Sequence, residues 1–293
     1  MSFITNLING LSLGSIYALI ALGYTMVYGI AKMLNFAHGD IIMVGAFAIV
    51  TAMSTLGSPV LAIGLSIVVC MLLGITIEKV AYKPLRQASP LSVLITAIGV
   101  SYLLQSLALL IFGSAQRPFP KVLDFSVYTI KIGNDLQISG NTVVTLAVST
   151  VIMLGVTWMI RKTKAGRAML AVAEDRGAAQ LMGVNVNKTI TITFAIGSAL
   201  AAVAGLFYGL TYPFIGPYTG AMPGIKAFVA AVFGGIGSIP GAMLGGILMG
   251  LIETLTQSYI STRLVDAVVF ATLILVLLVK PTGLLGKKIH EKV

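Results

Sequence analysis

Residues 3–30, FITNLINGLSLGSIYALIALGYTMVYGI, run without one charged side chain. As an α-helix they would extend about 42 Å, whereas about 20 apolar residues already cross the roughly 30 Å of a bilayer's hydrocarbon. No basic segment precedes the run, and it is about twice as long as the apolar core of a signal peptide. It therefore reads as a retained first membrane span. Further apolar runs follow at 41–56, 60–77, 91–112, 142–160, 190–211, 241–258 and 264–280. A shorter piece, 225–238, leads into the glycine-rich turn GGIGSIPGA. The fold class expected is an all-α polytopic membrane protein with about eight or nine transmembrane helices, one short or broken near 225–238. Residues 1–293 form a single transmembrane domain on this reading.

Composition agrees. The chain is 57% hydrophobic and only 10% charged, with a mean hydropathy of +1.01, whereas soluble domains carry about 25% charged residues. So few charges cannot coat a globule of this size, which excludes a water-soluble enzyme, a disordered tail and a secreted disulfide scaffold. The lone Cys70 has no partner for a disulfide within the chain. The formal charge of +10 would suggest nucleic acid in a soluble protein. Here it follows the rule that cytoplasmic loops collect Lys and Arg. The loop 78–90 carries Lys79, Lys83 and Arg86, the loop 161–189 carries Arg161, Lys162, Lys164, Arg167, Arg176 and Lys188, and the tail carries Lys280, Lys287, Lys288 and Lys292. These three share one side only if 225–238 contributes a crossing. That topology puts the N-terminus outside, the C-terminus in the cytoplasm and 113–141, with its Arg117-Pro118-Phe119-Pro120 turn, as the largest external loop. The cytoplasmic side then holds fourteen basic and five acidic residues, a net of +9, against +1 outside. No nucleic-acid partner is implied; the bulk partner is membrane lipid.

Small residues mark helix contacts. Gly241/Gly245, Gly246/Gly250 and Gly205/Gly209 have the small-xxx-small spacing that lets backbones approach in lipid. In the first span Gly10, Gly14, Tyr17, Ala21, Tyr24 and Tyr28 fall on one stripe, either a packing seam or part of a polar translocation path.

Enzyme motifs fail on inspection. Gly10-Leu11-Ser12-Leu13-Gly14 matches the GxSxG nucleophile elbow, but the only histidines, His38 and His290, are remote from it in sequence. GGIGSIPGA follows no strand and lacks the acidic partner of a dinucleotide loop. There is no P-loop, no HExxH and no Cys/His cluster, so no enzyme activity, metal or cofactor is expected. Charges inside spans, the mark of ion-coupled transport, are scarce. Glu253 reads as a hydrogen-bonded residue near the outer interface, and Arg263 with Asp266 as a local pair.

In the loop 161–189, helix formers run from Ala168 to Leu181 and stop at Gly183. Ala171, Ala178 and Leu181 fall on an apolar face, with Glu174, Asp175 and Arg176 turned elsewhere. Such an amphipathic helix lies on a membrane surface or in the groove of a soluble partner.

Several stretches together resemble one family: NGLSLGSIYALIALGYTMVYGIAKMLNFAHGDIIMVGAF, EKVAYKPLR, GRAMLAVAEDRGAAQLMGVNV, FGGIGSIPGAMLGG and KPTGLLG. They resemble branched-chain amino acid ABC transporter permeases of the LivH type, over essentially the whole chain. The resemblance implies the membrane-spanning permease subunit of an ATP-driven importer in a bacterial-type inner membrane. Its partners would be two cytoplasmic ABC ATPase subunits, a second related permease subunit and an external substrate-binding protein. Such permeases carry an EAAxxxG coupling loop; here Gly177, Ala178, Ala179 and Gly183 match it, with Gly177 in place of the acid. The resemblance assigns ATPase coupling to this loop, with Ala168, Ala171, Glu174, Asp175, Ala178, Ala179, Leu181 and Gly183 as its residues.

In LNFAHGD, Asp40 reads as an N-cap of the second span, or Asn35, His38 and Asp40 as a gate. Polar groups expected to line a path are Asn9, Ser12, Tyr17 and Tyr24 on the first span, Thr96, Ser101 and Gln105 on the span 91–112, and Glu253. The nearest rival reading is a related permease for urea or amides; a more distant one is an autonomous secondary transporter.

Overall fold

The computed structural model describes residues 3–123, 129–132 and 136–286. The helices are α1 (Phe3–Ala31), α2 (His38–Leu56), α3 (Pro59–Ile77), α4 (Pro90–Phe112), α5 (Gly140–Lys162), α6 (Lys164–Glu174) and α7 (Arg176–Leu181). They continue with α8 (Val186–Thr211), α9 (Ala221–Gly234), α10 (Ile239–Tyr259) and α11 (Val265–Val279). Eight of the described helical segments are long and apolar enough to cross a membrane, and α9 is a shorter apolar helix. A π turn at Glu78–Tyr82 and a 3-10 turn at Lys83–Leu85 extend α3. Among the described residues, strand structure is confined to two small pairs: β1 (Arg117–Pro118) with β4 (Phe214–Ile215), and β2 (Thr129–Ile132) with β3 (Leu136–Ser139).

The helix boundaries have local causes. Ser58, Ser89 and Ser238 stand at the N-caps of α3, α4 and α10, and each helix has a proline in its first two positions, where the missing N–H costs nothing. The hydroxyl of Ser238 accepts from the Gly241 N–H at 3.3 Å. α2 stops where Gly57 turns left-handed at φ +62°.

α1 is the hub. It is buried along most of its length and packs against α8, α9 and α10. A Cβ added to Gly14 would lie 2.7 Å from the Ile247 Cα, and one added to Gly10 would lie 3.1 Å from the Leu251 Cα. Gly246 and Gly250 press against the α1 backbone at Ala18 and Gly14. Gly205 packs on Ile42 of α2, where an added Cβ would meet the carbonyl at 2.7 Å. The small-residue pairs are thus helix contacts, as their spacing predicts, except at Gly209, which instead packs on the Phe119 ring outside the helices.

The short piece 225–238 forms most of α9 and leads into α10. Gly241 and Gly245 seat α9 antiparallel on α10, and the N–H groups of Leu284 and Leu285 donate to the Phe233 and Gly234 carbonyls. The segment 280–286 therefore returns to the end of α9. Gly237 in turn lies beside Gly29 near the end of α1. One end of the bundle thus gathers Lys32, the 78–90 and 161–189 segments and Lys280. Lys287, Lys288 and Lys292 lie outside the described residues, as do 124–128 and 133–135 within the loop 113–141. At the opposite end β1 and β4 pair, and Phe119, Val122 and Ile215 pack on Met43, Phe47 and Leu206.

Candidate functional site

Three groups of polar residues stand out, two inside the bundle and one at its basic end. The first surrounds Asp40. α2 begins at His38 with Ala37 at its N-cap and no side-chain capping bond, so the expected capping role of Asp40 is incorrect. Its carboxylate turns sideways to α4 instead, where the Ser101 hydroxyl and the Gln105 amide, the latter at 2.9 Å, donate to it. Two side-chain donors on a neighbouring helix satisfy the charge better than one local N–H. Ser101 lies roughly 17 Å along α4 from its first residue, so α2 starts deep within the bundle. The connection 32–37 climbs back from the end of α1 to reach it. Lys32 turns left-handed there, at φ +54°, and Asn35 is buried, its Oδ1 accepting from the Tyr82 hydroxyl at 3.0 Å. His38 packs edge-on against Tyr24, with ring centroids 4.8 Å apart. Three residues expected at a gate and three expected along a path (Tyr24, Ser101 and Gln105) therefore gather at one recessed turn.

The second group is ionic. Lys226 Nζ of α9 lies 2.9 Å from Glu253 Oε1 of α10 and 2.9 Å from Asp266 Oδ1 of α11. The Tyr17 hydroxyl of α1 donates to the other Glu253 oxygen at 2.8 Å. Glu253 is buried and bridges helices, a hydrogen-bonded residue between α1, α9 and α10. Asp266 pairs with Lys226 rather than with Arg263, because a buried ammonium needs neighbouring carboxylates far more than an exposed guanidinium does. Lys226 is the residue that sequence reasoning missed. Its signal was present: a cation inside the apolar run AMPGIKAFVAAVFGG, with Glu253 the only acid of the next span.

Beside this network a cavity of about 460 Å³ opens at the end where β1 meets β4. Tyr208, Tyr212 and Tyr218 line it, with Gln116, Met222 and Pro223. Burial first, and then the nearby Glu253 carboxylate, push the Tyr212 hydroxyl above its ordinary pKa.

Asn9 and Thr96 are half-buried and Ser12 is buried; no side-chain hydrogen bond joins them to either group. The α1 stripe is enclosed by the chain itself: its glycines face α10, Tyr17 reaches Glu253, and Tyr24 meets His38 and Phe228.

The third group is at the basic end, where the single helix expected over 168–181 is two. Asp175 is extended (φ −153°), and its carboxylate accepts from the Ala178 N–H at 2.9 Å, capping α7. An acid at an N-cap outcompetes helix continuation at that point. Gly183, at φ +82°, ends the segment as expected. Gly166, Met169, Val172 and Ala179 face inward, while Ala171, Glu174, Asp175, Ala178 and Leu181 are exposed and Ala168 is half-buried. Leu181 and Met182 are 90% and 83% exposed. Arg176 donates to the Ala31 carbonyl at the end of α1, where cationic charge is favoured by the helix dipole. Burial and the neighbouring Arg86 lower its pKa from the ordinary arginine value. Arg86 donates to Glu78 and to Asn187, and the Thr191 hydroxyl bonds Glu78 at 2.8 Å. The basic end is thus tied to α1, to the extension of α3 and to α8.

Comparison with known proteins gives a consistent result. The family model for the branched-chain amino acid transport system permease component matches residues 6–277. The high-affinity branched-chain amino acid transport system permease protein LivH of Escherichia coli (strain K12) is 45% identical over 304 residues, covering 99% of this chain and 98% of that one. The permease protein BraD of Pseudomonas aeruginosa is 45% identical over 301 residues, with 99% and 98% covered. A probable LivH of Methanocaldococcus jannaschii is 32% identical over 202 residues, covering 65% and 61%. No solved structure gives a significant match. The recessed turn, the buried ionic bridge and the basic end are therefore parts of a transport component rather than an enzyme, and this chain belongs to the family of branched-chain amino acid transport system permease components.

Proposed function

We propose that this chain forms the membrane path by which an ATP-driven importer carries branched-chain amino acids inward. Two cytoplasmic ATPase subunits supply the power, a second related permease completes the path, and an external binding protein delivers the solute. The basic end faces the cytoplasm, as the positive-inside bias favours; the cavity beside β1 and β4 faces the binding protein. α6 and α7 dock the ATPase, with Leu170, Leu181 and Met182 entering its groove. The observation that carries this reading is the exposed apolar surface of α6–α7, held against the C-terminus of α1 by Arg176. Apolar side chains so exposed at a charged membrane end fit an amphipathic helix awaiting a groove.

The recessed turn is the gate. Asn35, His38 and Asp40 hold the start of α2 against α4 through Ser101 and Gln105, and the remaining expected path residues belong to the walls around it. Movement at α7 reaches this turn through Arg176, the end of α1 and Lys32.

Replacing Leu181 by Asp puts a charge on the docking surface without disturbing a buried side chain. The folded chain should then co-purify with its ATPase at least about tenfold less, the effect of removing one buried apolar anchor. Undiminished co-purification together with normal uptake contradicts the docking role.

A further inference from the structure

Lys226 and Glu253 place an ion pair inside the bundle, and the half-exposed Asp266 carboxylate joins it from the start of α11. An ion pair kept only for stability is a poor device, because apolar packing of the same volume does as well or better. The position of this network gives it another use. Met222 and Pro223 line the 460 Å³ cavity and stand four and three residues before Lys226, hence on the same face of α9. Tyr208 and Tyr212 form its wall, and the Tyr212 hydroxyl is raised partly by the adjacent Glu253 carboxylate. The network therefore lies about one helical turn beneath the cavity. The cavity's size is within the roughly 300–1,000 Å³ of small-molecule sites, and its lining combines tyrosine rings, methionine and proline, which suit an aliphatic side chain, with the polar Ser114, Gln116 and Thr219.

We propose that the cavity and the Lys226–Glu253–Asp266 network beneath it form a site for the zwitterionic head and aliphatic side chain of an α-amino acid. This deepens the transport reading above and rests on it. The amino acid's carboxylate replaces one acidic partner of Lys226, and its ammonium takes up the carboxylate so released. Ion pairs are exchanged without a change in total charge, so the head group is never left unpaired in a dry environment. Asp266 is suited to yield, since its side chain is 52% exposed. Glu253 is suited to stay, since Tyr17 holds its second oxygen.

The test uses the full chain in lipid nanodiscs without the binding protein, and saturation-transfer NMR with L-leucine. Leucine should bind saturably. 4-Methylpentanoate, which lacks the ammonium, and isoamylamine, which lacks the carboxylate, should each bind about tenfold more weakly, the loss of one charge-assisted contact. Tyr212→Trp, which fills the cavity and leaves the ions alone, should abolish the leucine signal. Lys226→Met should remove the advantage of leucine over isoamylamine. If that variant does not fold, the wild-type selectivity and Tyr212→Trp still decide. No saturable leucine binding, equal binding of the single-charge analogues to wild type, or an unaffected Tyr212→Trp protein would each overturn the site. Failure of the site with leucine uptake by the complete transporter intact removes this inference alone; a complete transporter that does not import leucine removes the transport reading itself.

Discussion

α1 and α4 are both long apolar helices, yet α1 is enclosed on nearly every side and α4 is mostly exposed. α4 is the more apolar of the two, and α11, more apolar still, is the least buried of the long helices. Hydrophobicity thus does not set burial, and α8, as apolar as α4, is mostly buried, because lipid chains are as apolar as leucine and give helices no reason to associate. What encloses α1 is backbone approach at Gly10 and Gly14, together with the Tyr17–Glu253 bond. α4 has no such seam. Its ties to the bundle include Asp40 at mid-helix and the stacking of Phe112 on Phe47, with ring centroids 4.1 Å apart. We read α1 as the fixed frame and α4 as an element able to move against it.

One substitution made in two helices breaks this comparison most severely. Gly14→Leu drives a side chain into the Ile247 backbone and should cost about 3 kcal/mol or more, seen as loss of monodisperse protein and a lowered melting temperature. Gly64→Leu on α3 meets nothing within 4 Å and should leave both unchanged. A smaller effect is expected at the tether. Asp40→Asn keeps the shape but trades charge-assisted bonds for neutral ones, a loss of about 1 kcal/mol. Folded yield should be nearly normal while uptake falls several-fold; normal uptake removes the gating role of Asp40. The smallest effect belongs to Leu110→Ala on α4. That side chain is 81% exposed, and its truncation should change the melting temperature by less than the equivalent of about 0.5 kcal/mol. A larger change would mean that this face of α4 is covered in the membrane.

The spans were legible because a bilayer imposes one rule on the whole chain, and the charge-free run 3–30 obeys it plainly. The glycine seams were legible because close approach needs a small residue at a fixed spacing. The return of 225–238 to the basic end followed from where Lys and Arg accumulate. The partners of Asp40 were not legible: Ser101 and Gln105 were singled out only as polar, and their approach depends on α2 starting deep in the bundle. Lys226 escaped because its meaning lies in Glu253 and Asp266, which are far from it in sequence. The break at Asp175 was missed because helix propensity favoured continuation, whereas capping by a single carboxylate decided against it.

The most direct test is uptake of radiolabelled leucine into proteoliposomes that contain this chain with its partner permease, ATPase subunits and binding protein. The account predicts uptake that requires ATP on the ATPase side and every one of these components, and that is absent when the chain is reconstituted alone. Leucine uptake by the chain alone, with or without an ion gradient, would contradict it.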